Sequence, residues 1–518
     1  MRGPHNFLRL VRTAATFERT GAMGTLFVML EAPLTVRAAG RVIGWPFRWL
    51  GHRGDPANPP LVRALTALGP AYIKFGQLLA TRPDIVGPEL SSELSVLLDR
   101  LPPFPEAQAK AEIHRQLGSD VDALYSEFSA PVAAASIAQV HRARVRLTGR
   151  EVAVKILRPD IERIFQKDID AFHLSAHVIE WFLPATRRLR PTDVVTHFET
   201  VVLAELDFRM EAAAAAEYAA NTKGDDDFSV PAVIWELSAR RVLTLDWVDG
   251  IPLNDVDALR KSHINLEALA VRVVRSFLLH VLRDGLFHAD MHQGNVMVQP
   301  DGSLVAYDFG IMGRIDDYTR RVYAEILAGF ISRDYKRVAR VHFEAGYVPR
   351  DQDIEAFAQA LRSIGEPIFG QDAAHISMSR LLTHLFDVTE RFGMETRTEL
   401  ILLQKTMVVV EGVARTLDPG LNIWDTAKPV VERYVVENLG PRAFIRDFRR
   451  TFEIMSRFGP RLPGLIESLL NAERDHQVMT PPPRRLAAFV WFLAGAAVTA
   501  LVLSAVVLSS ALLTGRLL

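Results

Sequence analysis

Cysteine is absent from the 518 residues, which excludes disulfide scaffolds, thiolate zinc sites, iron–sulfur clusters and cysteine nucleophiles. Charge of one sign is lacking as well. The chain has 60 Lys and Arg against 61 Asp and Glu, a formal net charge of −1, so no bulk field draws it to nucleic acid. No G-x-G-x-x-G occurs, and the histidines are scattered without an iron triad, which leaves oxygen or dinucleotide chemistry without a seat. There is no internal repeat, and Ala212 to Ala216 is the one low-complexity run. What is present is 49% hydrophobic and 23% charged, the balance of a globular chain. The mean hydropathy of +0.10 is high for a soluble protein, and the excess sits at the C-terminus.

Residues Leu486 to Leu513 carry no charge over 28 positions, where about 20 apolar residues suffice to cross a bilayer core. One transmembrane helix is expected, in preference to a hairpin of two short spans broken near Ser504. Arg457, Arg461, Arg474, Arg484 and Arg485 precede it and Arg516 alone follows, so the large N-terminal part belongs on the cytoplasmic side. Residues 1–53 hold eight arginines against Glu18 and Glu31, with apolar residues between them. A basic amphipathic helix lying on anionic membrane lipids is the favoured reading. An ordinary solvated helical extension is the alternative, and a signal peptide fits the long charged lead poorly.

Between the ends, proline-rich punctuation at Asp55 to Pro60, Leu101 to Pro105 and Thr480 to Pro483 divides the chain. Period-two alternation from Ala138 to Leu147, the turn Thr148-Gly149 and the run Glu151 to Leu157 predict two paired strands. A third strand pair is expected around Ser229 to Val233 and Arg241 to Val248. Helical periodicity dominates from Asn265 to Gly285 and from Asp316 to about Ala472. The order is helices, a small antiparallel sheet, then a helical body, which is an α+β fold.

The sharpest motif is His288-Ala289-Asp290-Met291-His292-Gln293-Gly294-Asn295, followed by Asp308-Phe309-Gly310 after the strand Leu304 to Tyr307. An aspartate, an asparagine five residues on, and a strand-end aspartate hold magnesium against nucleotide phosphates in kinases. Magnesium prefers hard oxygen donors, and one carboxylate plus one amide leaves room for phosphate and water. Asn295 and Asp308 are therefore the expected metal ligands and Asp290 the base or water-positioning group. Gly310 is expected to allow a sharp turn beside the metal. Upstream, Val152-Ala153-Val154-Lys155 places an ammonium on a strand, where it contacts phosphates. Glu211, on a helix beginning near Pro191, is the candidate to hold it. Fifteen residues before Lys155 ends a loop of Ala133, Ala134, Ala135, Ser136, Ile137, Ala138, Gln139 and Val140. Ala133, Ala135 and Ala138 fall where a kinase phosphate loop has its three glycines, with Val140 in register. Each added Cβ disfavours positive φ, which predicts a stiffer nucleotide-binding loop and altered nucleotide preference or slow transfer.

This alanine-rich loop, with Val-Ala-Val-Lys and the His-Ala-Asp loop, resembles the UbiB family, also called the ABC1 or ADCK atypical kinases. Lys74-Phe75-Gly76-Gln77 is similar to that family's K-x-G-Q motif, and Glu205-Leu206-Asp207 to its E-x-D motif. The match covers roughly residues 60–425, including Glu411-Gly412-Val413 and Leu417-Asp418-Pro419. The resemblance implies an atypical protein-kinase-like fold that binds Mg²⁺ and ATP or ADP. Together with the readings of the two ends, it divides the chain into 1–59 (basic amphipathic region), 60–115 (K-x-G-Q extension), 116–250 (N-lobe), 251–479 (helical C-lobe) and 484–514 (membrane segment). Lys74, Gly76, Gln77, Glu205 and Asp207 would be regulatory. The K-x-G-Q helices would fold over the cleft, with Lys74 approaching Glu205, while Asp207 and Glu211 share a helix face. The implied role is support of ubiquinone biosynthesis at the bacterial inner membrane. ATP hydrolysis would give prenylated quinone precursors access to soluble biosynthetic enzymes, with room for an oligomer. A small-molecule or lipid kinase, and a nucleotide-gated scaffold, are the alternatives. His292 stands where typical protein kinases carry a lysine, and no Ala-Pro-Glu segment follows Asp308. A neutral imidazole supplies less charge than a lysine, which predicts modest transfer rates, and the missing segment argues against a peptide-docking activation segment.

Overall fold

In the computed structural model of this chain, residues 5–29, 45–80, 86–97, 102–182, 190–369, 388, 391–394 and 398–438 are described. All of them lie in one compact unit, Met1–Leu439. The expected membrane span at 486–513, the prolines before it and the Thr81-to-Asp84 segment lie outside the described residues. Among the described residues no helix is long and apolar enough to cross a membrane.

Two helices open the chain, α1 (His5–Thr20) and α2 (Ala22–Met29). The basic lead does not stand clear of the body. Ala15, Thr16, Phe17 and Thr20 of α1 are buried, and Thr13 shares a 2.6 Å hydrogen bond with Tyr72. Arg9 pairs with Asp168. The face from Ala15 onward is therefore occupied by protein, and lipid contact would fall to other residues. The extension continues with α3 (Pro60–Leu68), α4 (Pro70–Ala80), α5 (Pro88–Leu94), α6 (Glu106–Leu117) and α7 (Val121–Leu124).

The main sheet runs β1 (Tyr125–Ala134), β2 (Ala138–Val145) and β3 (Glu151–Leu157), and closes with β5 (Val242–Asp246) in the order β1-β2-β3-β5, all antiparallel. Alternation decides its faces. Val152, Val154 and Ile156 of β3 enter a core with Ala109 and Ile113 of α6, so α6 backs the sheet. Ala153 and Lys155 are left on the opposite face. Between β3 and β5 lie α8 (Ile161–Phe182), α9 (Pro191–Glu205) and α10 (Phe208–Asn221).

The expected third strand pair forms differently. β4 (Phe228–Ser229) runs parallel to β9 (Leu304–Ala306), and its neighbourhood touches β5 only through the isolated bridge Val233 to Leu245. Apolar burial explains the change of partner, because Phe228 joins the core of the helical lobe with Leu304. That lobe contains β6 (Ile251–Pro252), α11 (Val256–Lys261), α12 (Leu266–Leu279), β7 (Leu286–His288), β8 (Val296–Val298) and β10 (Met312–Arg314). Helices α13 (Asp317–Ile331), α14 (Tyr335–Glu344), α15 (Ile354–Phe369), α16 (Thr398–Leu417) and α17 (Ile423–Asn438) complete it. The second sheet is ordered β4-β9-β8-β6, and β7 pairs with β10. The overall class is α+β, as expected.

Candidate nucleotide site

Three short pairings bring the motif residues to one place. In the β8–β9 hairpin Val296 faces Ala306 and the Tyr307 amide donates to the Asn295 carbonyl at 3.2 Å. Asn295 thus stands immediately before one strand and Asp308 two residues after the end of its partner, at the same end of the ladder. The β7–β10 pairing sets His288 opposite Met312, which fixes the entry to the loop that carries Asp290. Val140, Lys155 and Leu243 are direct cross-strand partners, and Ala133 faces Val140. Directly opposed residues share a face, so the alanine-rich loop stands in line with Lys155.

The Lys155 ammonium joins the two lobes. Its Nζ donates to Glu211 Oε1 at 2.8 Å and Oε2 at 3.1 Å, and to Asp308 Oδ2 at 3.1 Å. Glu211 also accepts from the Phe309 amide at 3.4 Å. The side chains of Lys155, Glu211 and Asp308 are 18%, 8% and 40% exposed, so the cluster opens at its Asp308 end. Crowding alone lowers the Lys155 pKa, but the charges of Asp308 and Glu211 outweigh it and hold the ammonium protonated above its usual range. For Asp308, crowding works upward, yet Lys155 and the Gly310 amide keep the carboxyl well below the carboxylate range. Burial, aided by Asp308's charge, pushes Glu211 up against the pull of Lys155.

The helix carrying Glu211 does not begin near Pro191. Helix α9 ends at Glu205, and α10 starts after the cap residue Asp207, whose carboxylate accepts from the Arg209 amide at 3.1 Å. Leu206 is buried there, and the Phe208 amide donates to the Arg240 carbonyl at 2.9 Å, which pulls the chain off the helical path. Asp207 and Glu211 therefore do not share a face as helix neighbours. Asp207 bonds Arg209 instead. Glu205 meets Lys74 at 3.1 Å, as the resemblance implied.

The K-x-G-Q residues divide their tasks. Lys74 and Glu205 are 14% and 10% exposed, while Gln77 Nε2 donates to the Leu97 carbonyl at 3.2 Å. A Cβ on Gly76 would lie 2.4 Å from a terminal methyl of Leu97 and 2.7 Å from one of Leu65, so any larger residue would force these buried leucines to move. Stacked rings of Phe75 and Phe172, and the edge contact of Phe75 with Phe198, seat α4 on α8 and α9.

The alanine-rich loop is tied down. Arg158 donates from Nε and a terminal nitrogen to the Ala135 carbonyl at 3.0 and 2.8 Å. The Arg158 amide donates to the Ile137 carbonyl, and the Ala135 amide to the Ala138 carbonyl, both at 2.8 Å. Ser136, Ile137 and Ala138 are buried, so contact from Ile137 or Ala138 to a ligand would come through backbone. Ala133, Ala134, Ala135 and Val140 keep exposed or half-buried side chains.

In the lower loop, Asn295 Nδ2 donates to the Asp290 carbonyl at 3.0 Å, and the Asp290 amide to His288 Nδ1 at 3.1 Å. His288 is buried, and burial lowers its pKa, so it braces the loop as a neutral ring. His292 Nε2 lies 3.7 Å from Asp290. The chain bends at Gly310 as expected, although without a positive φ. A Cβ there would come within 3.3 Å of Asp308 Oδ1, so the residue is small to clear the carboxylate. One residue near Asp290 carries no motif. Lys405 of α16 feels its charge, and Thr406 beside it donates to the Ala289 carbonyl at 2.9 Å. Nothing local in the sequence marks it, because its partner is 115 positions away.

The donor set fits magnesium. Asn295's nitrogen is engaged, which leaves its amide oxygen to a ligand, and Asp308 is held ionised; one carboxylate and one amide oxygen are hard donors. Among the described residues no cluster of three or more His, Cys, Asp and Glu could hold a metal by itself, so phosphate and water would complete the sphere.

A family profile described as an ABC1 atypical kinase-like domain matches residues 96–342, and a UbiB helical domain profile matches 361–422. A curated relative named probable protein kinase UbiB, from Aliivibrio fischeri strain MJ11, is 38% identical over 467 residues, 88% of this chain and 86% of its own. The protein of the same name from Aeromonas salmonicida is 38% identical, covering 87% and 85%. The one from Vibrio atlanticus is 37% identical, covering 89% and 86%. A solved structure, the complex of Rv3197 with erythromycin from Mycobacterium tuberculosis, aligns at TM-score 0.49 and 22% identity over 68% of this chain and 90% of that one.

Proposed function

The chain belongs to the UbiB family of ABC1 atypical kinase-like proteins, and from that premise we propose that it binds Mg–ATP and hydrolyses it in support of ubiquinone biosynthesis. The observation that carries the reading is the Lys155 ammonium held between Glu211 and Asp308, with Asn295 at the same strand end as Asp308. Magnesium, when bound, would be held by Asn295 and Asp308 and would supply positive charge to the nucleotide phosphates. Lys155 keeps its Glu211 contact and turns its remaining donors to phosphate oxygens. Asp290, 38% exposed in its side chain, accepts a proton from the attacking water or hydroxyl. The pinned alanine-rich loop, through Ala133, Ala134, Ala135 and Val140, closes over the phosphates less freely than glycines would, which favours slow turnover.

The proposal extends to the membrane. The uncharged stretch 486–513 with arginines before it supports a C-terminal anchor in the inner membrane, with the kinase-like part cytoplasmic and near anionic lipid. Prenylated quinone precursors are the proposed cargo, handed to soluble biosynthetic enzymes, and Lys74, Gly76, Gln77 and Glu205 regulate access. The test is quinone profiling of a deletion strain complemented by wild type or Asp308→Asn, with nucleotide titration of the same purified chains. Lost quinone restored only by wild type, and magnesium-dependent binding lost in Asp308→Asn, are expected. Normal quinone in the deletion strain rejects the pathway, and nucleotide binding indifferent to Asp308 rejects the site.

A further inference from the structure

We infer that Lys405, supplied by the helical domain outside the kinase-like match, is the cation that receives the terminal phosphate on the Asp290 side of the cleft. The inference rests on the Mg–nucleotide reading and deepens it by assigning the group that distinguishes a nucleoside triphosphate from a diphosphate.

Charge supply is the starting point. Phosphoryl transfer spreads negative charge over three oxygens, and proteins answer it with metal ions and cationic side chains. From Leu286 to Gly310 the chain contains no lysine or arginine. His288 is buried beneath the loop and accepts an amide hydrogen, and His292 is bonded to the Gly294 amide through Nδ1 at 2.9 Å. Lys155 is already divided between Glu211 and Asp308. The loop around Asp290 therefore has no permanent cation of its own.

Helix α16 brings one. Thr406 is fully buried, and its hydroxyl donates to the carbonyl of Ala289, the residue before Asp290, at 2.9 Å. This bond fixes the helix to the catalytic loop's backbone. Lys405 adjoins that anchor, is half-buried, and forms no hydrogen bond or ion pair with any described residue. Burial pushes its ammonium down in pKa while Asp290's charge pulls it back up. An ammonium carries three donors, and desolvating it without acceptors is unfavourable. A phosphate entering beside Asp290 would supply those acceptors.

The experiment uses the full chain in detergent. Dissociation constants for magnesium complexes of ADP and of a non-hydrolysable ATP analogue are measured for wild type, Lys405→Met and Lys405→Arg. Lys405→Met should weaken the triphosphate about tenfold and the diphosphate less than about twofold, and Lys405→Arg should retain most of the preference. Because the methionine variant could misfold, the wild type is also treated with an amine-reactive reagent and read by mass spectrometry. The triphosphate analogue should protect Lys405 and ADP should not. Equal weakening of both nucleotides, no weakening, or equal protection overturns the role of Lys405. A wild type that binds neither nucleotide would instead bring down the site reading beneath it.

Discussion

Glu205 and Glu211 leave the same stretch of chain six residues apart, and each holds a lysine from a distant segment. Glu211 takes Lys155 from the sheet at 2.8 Å, and Glu205 takes Lys74 from the N-terminal extension at 3.1 Å. Both pairs are mostly shielded from water. The difference lies in what each pair joins. Asp308 of the helical lobe also reaches Lys155, so that pair joins a cluster of one cation and two carboxylates at a proposed ligand site. The Lys74–Glu205 pair instead joins helix α4 to helix α9. On the proposed reading the same chemistry serves as a ligand-responsive clamp in one case and as a latch in the other, and the interruption at Leu206 and Asp207 is what aims the two glutamates apart.

The largest effect should come from Lys155→Met. It removes a charged hydrogen bond worth ~1.5–3 kcal/mol to a phosphate and leaves Glu211 facing Asp308, so Mg–ATP affinity should fall roughly 100-fold by titration. Breaking a shielded pair from one side destabilises by about 3 kcal/mol, readable in urea unfolding. Burial and Asp308 already raise Glu211, and without the ammonium it rises further. A carboxyl with a raised folded pKa contributes stability below its unfolded pKa and loses it as pH rises. The deficit of the variant should therefore be smaller at about pH 5 than at about pH 8. A deficit that grows toward acid would mean that Glu211 is not the carboxyl left uncompensated.

Lys74→Ala should separate the latch from the clamp. A stability loss of about 1–3 kcal/mol is expected from the orphaned, mostly buried Glu205, with faster amide exchange confined to residues 70–80 and nucleotide affinity changed less than about threefold. The exchange Lys74→Glu with Glu205→Lys should recover part of the loss, because the coupling belongs to the pair. If Lys74→Ala weakened nucleotide as strongly as Lys155→Met, the two pairs would be one device and the contrast would fail.

How much of this was legible depends on distance along the chain. Strand β3 has the bounds that period two gave it, and Lys155 faces away from Val152, Val154 and Ile156 because alternation leaves no other choice. The Asp290, Asn295 and Asp308 constellation was readable because its spacing reflects a single hairpin. Both lysine–glutamate pairs are legible in the sequence, one from the kinase pattern and one from family resemblance. The helix break was missed because Leu206 and Asp207 are compatible with a helix interior, and only the Arg240 carbonyl and buried contacts decide otherwise. The partner of β4 was missed since two residues carry no period. Lys405 was invisible for the same reason that makes it informative: its role depends on the fold placing Thr406 against Ala289.

The smallest effect should come from the acid between the two pairs. Asp207 could be grouped with Glu205 by motif, yet its carboxylate caps α10 through the Arg209 amide and bonds the Arg209 guanidinium. The ion pair is largely exposed on the arginine side and adds little, so the cap accounts for most of the loss. Asp207→Ala should lower stability by about 1 kcal/mol and leave nucleotide affinity within about twofold. The hydrogen bonds of Arg209 hold the Asp207 carboxyl below its usual 3.8. A carboxylate with a depressed folded pKa contributes stability above its unfolded pKa and loses it as pH falls through the folded one. The difference between wild type and Asp207→Ala should hence be constant from neutral pH down to about 4 and shrink below it, while the loss in Lys155→Met shrinks well before that. Two acids four residues apart would then show different acid limbs, as expected of a helix cap and a buried clamp.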